Sequence, residues 1–299
     1  MKKILLLLTF IPIASAQTAS DPNYLQQITQ FRTQRAKNLT APEGWFSLVA
    51  LHWLQPGDTT VGSAPGNKLH LDHAPAHLAT FHLANNTVTL AAPAGGFPAN
   101  TTLDGKPAAA GTLSYDENHP SQIRNGGLLI IVIKRGERLY LRVKDAQAPT
   151  RTGFHGLSWY PPDQRFVVTA KWTPYNPPRS LTVPNIIGQT ETDPSPGIAE
   201  FTLNGQTLRL EPVIEDPADK LLFFIFRDTT SHTATYGAGR FLYTQYPSNG
   251  LDKPGTVVLD FNRTQNPPCA YTAYATCPLP PAQNRLDIPI PAGEKRYHE

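Results

Sequence analysis

The stretch LLIIVIKRGERLYLRV, residues 128–143, decides the fold class of this chain. Two apolar runs, Leu128 to Lys134 and Leu139 to Val143, flank an Arg135-Gly136 turn, which is typical of paired strands. Turn residues also separate similar short runs at Lys68 to Leu71, Ala79 to Leu83 and Thr87 to Ala91. The first half of the chain is therefore predicted to consist of β-strands.

Strand-like runs resume after an irregular stretch between Asp145 and Pro162, where we place the boundary between two lobes. Asn204-Gly205 is a tight-hairpin signal between two of these runs. The runs are Arg165 to Trp172, Ser180 to Ile187, Ala199 to Leu203, Gln206 to Leu210, Leu221 to Arg227, Gly239 to Tyr243 and Thr256 to Phe261. We predict a mainly β protein with two packed β-sandwich-like lobes, residues 41–150 and 151–299. A proline-rich C-terminal segment runs from Asn262 to Glu299.

One amphipathic helix is predicted in the N-terminal segment, residues 17–40. Asp21 can cap its first turn, and Pro22 suits the first helical position. Apolar residues then recur at helical spacing as far as Phe31, so we expect the helix to reach about Ala36.

The N-terminal sequence MKKILLLLTFIPIASA, residues 1–16, has the form of a secretory signal. It combines two lysines, an apolar stretch too short to span a bilayer and a small-residue cleavage site before Gln17. We expect a secreted or periplasmic bacterial protein without a membrane span after cleavage.

Composition narrows the class of partner. With 16% charged and 40% hydrophobic residues, the chain lacks the signature of a disordered protein. Removal of Lys2 and Lys3 with the signal lowers the number of basic residues from 26 to 24, against 23 acidic residues. This balance argues against nucleic acid as the main partner.

The sequence contains only two cysteines, Cys269 and Cys277. An even pair in an exported chain first predicts a disulfide. Free or metal-binding thiols are the alternative, although the spacing to His232 and His298 is not a zinc pattern. The sequence assigns no metal site.

Polar residues cluster in the second lobe, where apolar strands end, and sites are commonly built at such positions. We predict a ligand site there, with Asp228 and Asp260 as its carboxylates. The alternative is that the same side chains only brace the C-terminal segment through backbone hydrogen bonds. The candidate residues are Arg227, Asp228, Tyr236, Arg240, Asp260, Asn262 and Asn284.

No familiar catalytic motif is present, so catalytic residues and cofactors remain unassigned. His70, His73 and His77 offer a weaker hypothesis, a metal site across strands. Trp159, Tyr160, Trp172 and Tyr175 offer another, a sugar-stacking platform, for which core packing is the alternative.

The strand rhythm of Val61 to Leu90, continued by Thr102 to Leu113 and Asn125 to Ile133, resembles a forkhead-associated sandwich. That family binds phosphothreonine through an arginine beside its early glycine and a serine before its histidine. Here Ser63 follows Gly62, and Ala76 precedes His77, so the resemblance implies the fold without phosphopeptide binding.

A second resemblance covers nearly the whole mature chain. The segments Gly44 to Ser63, Val132 to Asp145, Phe226 to Leu242 and Leu259 to Tyr297 resemble the family catalogued as domain of unknown function 1684. This family has no established activity, so the resemblance implies the family of the chain but no reaction or ligand.

Three functional hypotheses follow from the sequence. The first is a secreted or periplasmic protein that binds a small molecule or glycan at the second-lobe site. The second is a structural or protein-interaction module in which those residues brace the C-terminal segment. The third is a hydrolase with an unidentified nucleophile, so the sequence leaves open whether the protein is an enzyme.

Overall fold

The computed structural model describes residues 22–297 and confirms the mainly β class. The predicted signal segment, the Asp21 cap and His298 lie outside the described residues. Helix α1, Pro22–Leu39, is the predicted N-terminal helix, and it runs on past Ala36. Its buried residues Ile28 and Leu39 face the protein.

The first lobe is built from two sheets. Its strands are β1 Leu48–Trp53, β2 Gly57–Gly62, β3 Leu69–His70, β4 Ala79–Ala84, β5 Thr87–Ala91, β6 Thr102–Leu103, β7 Lys106–Pro107, β8 Gly111–Thr112, β9 Ile123–Asn125, β10 Leu128–Arg135 and β11 Arg138–Asp145. One sheet has the order β1-β11-β10-β9-β6-β7, and the other has the order β3-β2-β4-β5-β8. The predicted turn joins β10 to β11, with Arg135 paired to Arg138.

Strand alternation decides which side chains of the first lobe enter its core. Ile130 of β10 and Leu141 of β11 are fully buried there, together with Phe81 from the opposite sheet. Arg142 follows Leu141 and therefore points away from this core, to the side where the second lobe lies.

The second lobe begins after the short helix α2, Pro149–Thr152. Its strands are β12 Val167–Pro184, β13 Thr190–Leu203, β14 Gln206–Leu210, β15 Leu221–Phe226, β16 Arg240–Gln245 and β17 Gly255–Asp260. The sheet order is β14-β13-β12-β17, while β15 and β16 form a hairpin. The two runs predicted around Trp172 and Leu181 are a single strand, because pairing with β13 resumes beyond an irregularity between Pro174 and Arg179. The Asn204-Gly205 hairpin is confirmed, with φ values of 52° and 77°.

The C-terminal segment, residues 261–297, is ordered without forming a long strand. It alternates short turns with extended chain, and it buries Leu286, Ile288 and Ile290 in the core of the second lobe. Gly293 has a φ of +79°, and a Cβ there would lie 1.8 Å from Thr264 Oγ1. Only glycine lets the chain pass so close to Thr264.

Among residues 22–297, no helix combines the length and apolar character needed to cross a bilayer. Helix α1 is held against the second lobe by polar contacts at both ends. Tyr24 Oη donates to Asp260 Oδ1 at 2.9 Å, and Arg35 donates to the carbonyl oxygen of Asn266 at 2.7 Å.

Candidate functional site

The predicted residues Asp228 and Arg240 form an ion pair with both side chains completely buried. Asp228 Oδ1 accepts hydrogen bonds from Thr230 N at 2.8 Å and from Ile290 N at 3.2 Å. Arg240 donates to the carbonyl oxygens of Ala292 at 2.6 Å and Ile290 at 3.1 Å. The pair therefore binds the backbone of the C-terminal segment.

Asn284 and Asn262 are also buried and bonded to backbone. Asn284 Oδ1 accepts from Glu211 N at 2.9 Å, and its Nδ2 donates to the carbonyl oxygens of Glu211 and Ile225 at 2.8 and 3.0 Å. Asn262 exchanges hydrogen bonds with the backbone of Asp163 at 3.0 and 2.8 Å. Each amide thus joins two segments that are distant in sequence.

The other predicted residues lie apart from this pair. Asp260 ends β17 and accepts from Tyr24, while Arg227 contacts His232 at 3.4 Å on the surface. Tyr236 Oη donates to the carbonyl oxygen of Cys269 at 3.0 Å. The structure therefore brings Asp228 and Arg240 together, but it does not gather all the predicted residues around one pocket.

The inter-lobe cavity is a space of about 320 Å³ where α1, the first lobe and the second lobe meet. None of the residues predicted as ligand-binding lines it. Three arginines and one glutamate supply its charged groups, and an aromatic wall comes from β15 and β16. The lining residues are Arg35, Trp45, Arg135, Arg142, Glu215, Phe223, Phe241, Tyr243, Gln265, Asn266, Pro268, Ala275, Thr276, Cys277 and Pro278.

Arg142 is the least satisfied of the three cavity arginines. Its Nε is buried without a hydrogen-bond partner among residues 22–297. Its Cζ lies 5.7 Å from the ring centroid of Trp45. Burial, together with the like charge of Arg135, lowers the pKa of the Arg142 guanidinium to about 10. The side chain is still charged at neutral pH and lacks a carboxylate partner in the described part of the chain.

Arg35 and Arg135 are held more firmly. Arg35 Nε also lacks a hydrogen bond among residues 22–297, but it lies 3.6 Å from Oε2 of buried Glu294. Arg135 Nε donates to Thr276 Oγ1 at 3.3 Å, and its Nη1 donates to the carbonyl oxygen of Lys134 at 2.9 Å. These contacts fix two guanidinium groups in the lining of the cavity.

The apolar wall is a stack of aromatic rings. Phe223 and Tyr243 are parallel, with ring centroids 4.6 Å apart, and Phe241 meets Phe223 edge to face at 4.8 Å. Tyr243 Oη donates to Glu215 Oε2 at 3.0 Å, and burial followed by that carboxylate raises the pKa of the Tyr243 hydroxyl. The phenol therefore stays neutral.

A neighbouring cavity of about 330 Å³ shares Arg135, Glu215 and Phe223 with the first. Its lining adds Glu117, Glu191 and Asp193, and burial raises the pKa of the Asp193 carboxyl. The two cavities together therefore have a cationic end at the three arginines and an acidic end at the added carboxylates.

The predicted disulfide is not formed, because Cys269 and Cys277 are both free thiols and are not at bonding distance. In the described part of the chain, no three histidine, cysteine or carboxylate side chains are grouped closely enough to hold a metal ion. Of the three histidines singled out, His73 contacts Asp145 at 2.5 Å, and His70 contacts Asp72 at 3.0 Å. Trp172 is fully buried and packs in the core, so it is not part of a sugar platform.

Sequence reasoning missed the three arginines of the cavity. Arg35 lies on a predicted helix, and Arg135 and Arg142 lie in a predicted hairpin. At such positions the sequence alone predicts an ordinary solvent-exposed arginine. The one available signal was strand alternation, which turns Arg142 away from the first core. Because α1, the first lobe and the second lobe each contribute one wall, only the tertiary structure assembles the cavity.

Fold and site define a mainly β protein with two lobes and an arginine-lined cavity between them. Residues 152–295 match the family described as Protein of unknown function (DUF1684), and the chain belongs to that family. The Phe226 to Leu242 motif lies within the match, and the Leu259 to Tyr297 motif lies almost wholly within it. The motifs at Gly44 to Ser63 and Val132 to Asp145 precede it.

Two solved structures are similar to parts of the chain. An uncharacterised protein of Haloarcula marismortui, determined by solution NMR, is 31% identical over 48% of this chain and 78% of that chain, with a TM-score of 0.41. A structure from a study of phosphothreonine-dependent FHA domain interactions is 15% identical over 31% of this chain and 92% of that chain, with a TM-score of 0.21. At these TM-scores neither likeness supports an argument about mechanism, and the forkhead-associated resemblance stays a prediction. No curated protein matches the chain.

Proposed function

We propose that this protein binds a small organic anion in the inter-lobe cavity. The proposal rests on the state of Arg142. Its partly buried guanidinium has an Nε without a hydrogen-bond partner among the described residues, and it faces a cavity that two further arginines line. A buried cation without a partner is costly, and a carboxylate or phosphate of the ligand would supply the missing charge and acceptors.

The size and lining of the cavity define the class of ligand. A volume of about 320 Å³ is at the lower end of the range for small-molecule sites. The rings of Phe223, Phe241 and Tyr243 provide an apolar surface beside the arginines. We therefore favour a carboxylate or phosphate that carries an aromatic or apolar body, and acidic sugars are the only glycans that fit this chemistry.

The buried residues of the second lobe hold the strand that forms part of the cavity wall. Arg240 and Phe241 are neighbours on β16, and alternation sends their side chains to opposite faces. Arg240 fixes the strand to the C-terminal segment, while Phe241 and Tyr243 present their rings to the cavity. The same segment also contributes Asn266 and Cys277 to the cavity lining.

Binding is the proposed activity, because the arginines and the aromatic rings of the lining are groups that hold an anion with an apolar body. We also propose that the protein works outside the cytoplasm, as the segment 1–16 suggests. N-terminal sequencing of the cell-fractionated protein tests this, and a start at Gln17 is the expected result.

The test of binding is a thermal-shift panel of benzoate, phenyl phosphate, glucuronate and glucose, followed by titration calorimetry. We expect the anions with a ring to raise the melting temperature, and neutral glucose to have no effect. Arg142→Gln should weaken the tightest anion about 10-fold or more, because it removes a charge-assisted hydrogen bond.

The matched control is Arg138→Gln. Arg138 lies on the same face of β11 but stacks on Trp53 outside the cavity, with its Cζ 4.2 Å from the ring centroid. Equal loss of affinity in both variants, or stabilisation by glucose alone, would contradict the proposal.

A second candidate function is the structural or interaction module, and the buried pair of Asp228 and Arg240 favours it. If bracing is the whole role of the second lobe, substitutions there lower stability and no member of the anion panel binds. Binding of any panel member at the cavity decides for the first proposal.

A further inference from the structure

Asn266 brings a buried hydrogen-bond acceptor to the lining of the inter-lobe cavity. The residue is completely buried, and it is one of the residues that line this cavity. Its side-chain oxygen, Oδ1, has no hydrogen-bond partner among residues 22–297. Buried polar groups in native proteins are almost always paired, so this oxygen calls for a donor.

The orientation of the Asn266 amide follows from the groups around its nitrogen. Nδ2 donates to Glu294 Oε1 at 3.0 Å and to the carbonyl oxygen of Lys295 at 2.8 Å. A backbone carbonyl can only accept, so the amide nitrogen, and not the oxygen, must face Lys295. The unpaired atom is therefore an acceptor, and a group that pairs with it must donate.

The cationic side chain of Arg35 lies next to Asn266 in the same wall. Arg35 Nη2 donates to the carbonyl oxygen of Asn266 at 2.7 Å, and Arg35 Nε lies 3.6 Å from Glu294 Oε2. Arg35 and Asn266 thus share Glu294 as a neighbour, and both line the cavity. A ligand that binds at both residues needs an anionic group and a donor close together.

The charges of the lining favour a neutral donor over an ammonium group. Three arginines line the cavity, and its one carboxylate, Glu215, already accepts from Tyr243 Oη at 3.0 Å. An ammonium group would be repelled by the net positive charge of the lining, whereas a hydroxyl group would not. A hydroxyl on the carbon next to a carboxylate gives the required spacing.

We propose that the anion bound in the inter-lobe cavity is a 2-hydroxycarboxylate with an apolar body. Its carboxylate binds the arginines, and its hydroxyl donates to Asn266 Oδ1. This inference rests on the proposed function and adds the class of ligand to it.

The test is titration calorimetry of the full chain with phenylacetate and with each enantiomer of mandelate. These ligands share the ring and the carboxylate, and mandelate differs from phenylacetate only by the hydroxyl group. We expect one enantiomer of mandelate to bind about 10-fold or more tightly than phenylacetate, because its hydroxyl pairs a buried acceptor. Phenylglycine, which has an ammonium group in place of the hydroxyl, should bind more weakly than that enantiomer.

Asn266→Ala tests the assigned acceptor, and Asn262→Ala is the matched control. Asn262 is an equally buried asparagine that does not line the cavity. The readout is the ratio of the affinities for mandelate and phenylacetate, which a general loss of stability does not change. Asn266→Ala should bring this ratio to within about 2-fold of unity, whereas Asn262→Ala should keep the wild-type ratio.

The comparison of ligands on the wild type decides the outcome even if a variant fails to fold. Equal affinity for phenylacetate and both enantiomers of mandelate, or tightest binding of phenylglycine, would overturn this inference and leave anion binding intact. Binding of benzoate or phenyl phosphate without binding of mandelate would have the same meaning. If no anion binds, this inference and the proposed function are both wrong.

Discussion

The Arg142 guanidinium lies over the ring of Trp45, with Cζ 5.7 Å from the ring centroid, at the place where the two lobes meet. The ring supplies a weak cation–π attraction, but it does not provide a hydrogen-bond acceptor for the buried Nε. A charge held in this way is poorly compensated in the free protein. We consider it the signature of a site that is completed by a ligand.

This interpretation predicts that Arg142 costs stability in the free protein. Arg142→Met keeps much of the side-chain volume and removes a partly buried charge that the neighbouring Arg135 repels. We expect the free energy of unfolding without ligand to rise by about 1 kcal/mol, measured by urea denaturation. Arg138→Met is the control, and it should change stability by less than about 0.5 kcal/mol. A clear loss of stability in Arg142→Met would mean that this arginine is a structural residue.

The buried ion pair of Asp228 and Arg240 predicts the opposite behaviour. Asp228→Ala leaves the Arg240 charge buried without its partner and removes the acceptor of the Thr230 and Ile290 amides. The free energy of unfolding should fall by about 3–5 kcal/mol. Asp72→Ala, at a side chain that is 85% exposed, should have little effect in the same denaturation experiment. Comparable stability of the two variants would refute the bracing role.

Asn284 should act as a clamp on the C-terminal segment. Asn284→Ala removes three buried hydrogen bonds, two to the backbone of Glu211 and one to the carbonyl oxygen of Ile225. We expect the free energy of unfolding to fall by about 2–4 kcal/mol and trypsin to cleave faster after Arg285. The exposed Asn118→Ala is the control. Unchanged cleavage at Arg285 would show that other contacts suffice to hold the segment.

The contact between His73 and Asp145 predicts a pH dependence in the first lobe. The hydrogen bond to Asp145, followed by its charge, raises the pKa of the His73 imidazole. Because the folded value exceeds the unfolded value of about 6.5, the stabilisation is complete below pH 6.5 and is lost as pH rises through the folded value. The stability difference between the wild type and His73→Gln should therefore shrink with rising pH, measured by urea denaturation at several pH values. A His73 imidazole that titrates at or below 6.5 by NMR would contradict this.

The sequence predicted the strands well because alternation and turn residues act locally. The hairpin around Arg135-Gly136 and the turn at Asn204-Gly205 are specified by a few neighbouring residues. Helix α1 followed from its apolar spacing and from Pro22. The joining of two runs into β12 was missed, because that continuity comes from pairing with β13.

The site was predicted less well, for a physical reason. Asp228 and Arg240 were grouped as polar residues of one motif, and they do meet, but they are buried against the C-terminal backbone. The cavity instead combines Arg35, Arg142 and Tyr243, which lie on α1, β11 and β16. No local pattern encodes such a meeting of distant elements.

Titration calorimetry with the tightest anion of the panel tests most directly whether the inter-lobe cavity is the binding site. It compares the wild type with Arg142→Met and Arg138→Met at the same ionic strength. We expect one site per chain in the wild type, an affinity of Arg138→Met within about 2-fold of the wild-type affinity, and a loss of affinity of about 10-fold or more in Arg142→Met. Wild-type affinity in Arg142→Met would contradict the assignment of the inter-lobe cavity as the binding site.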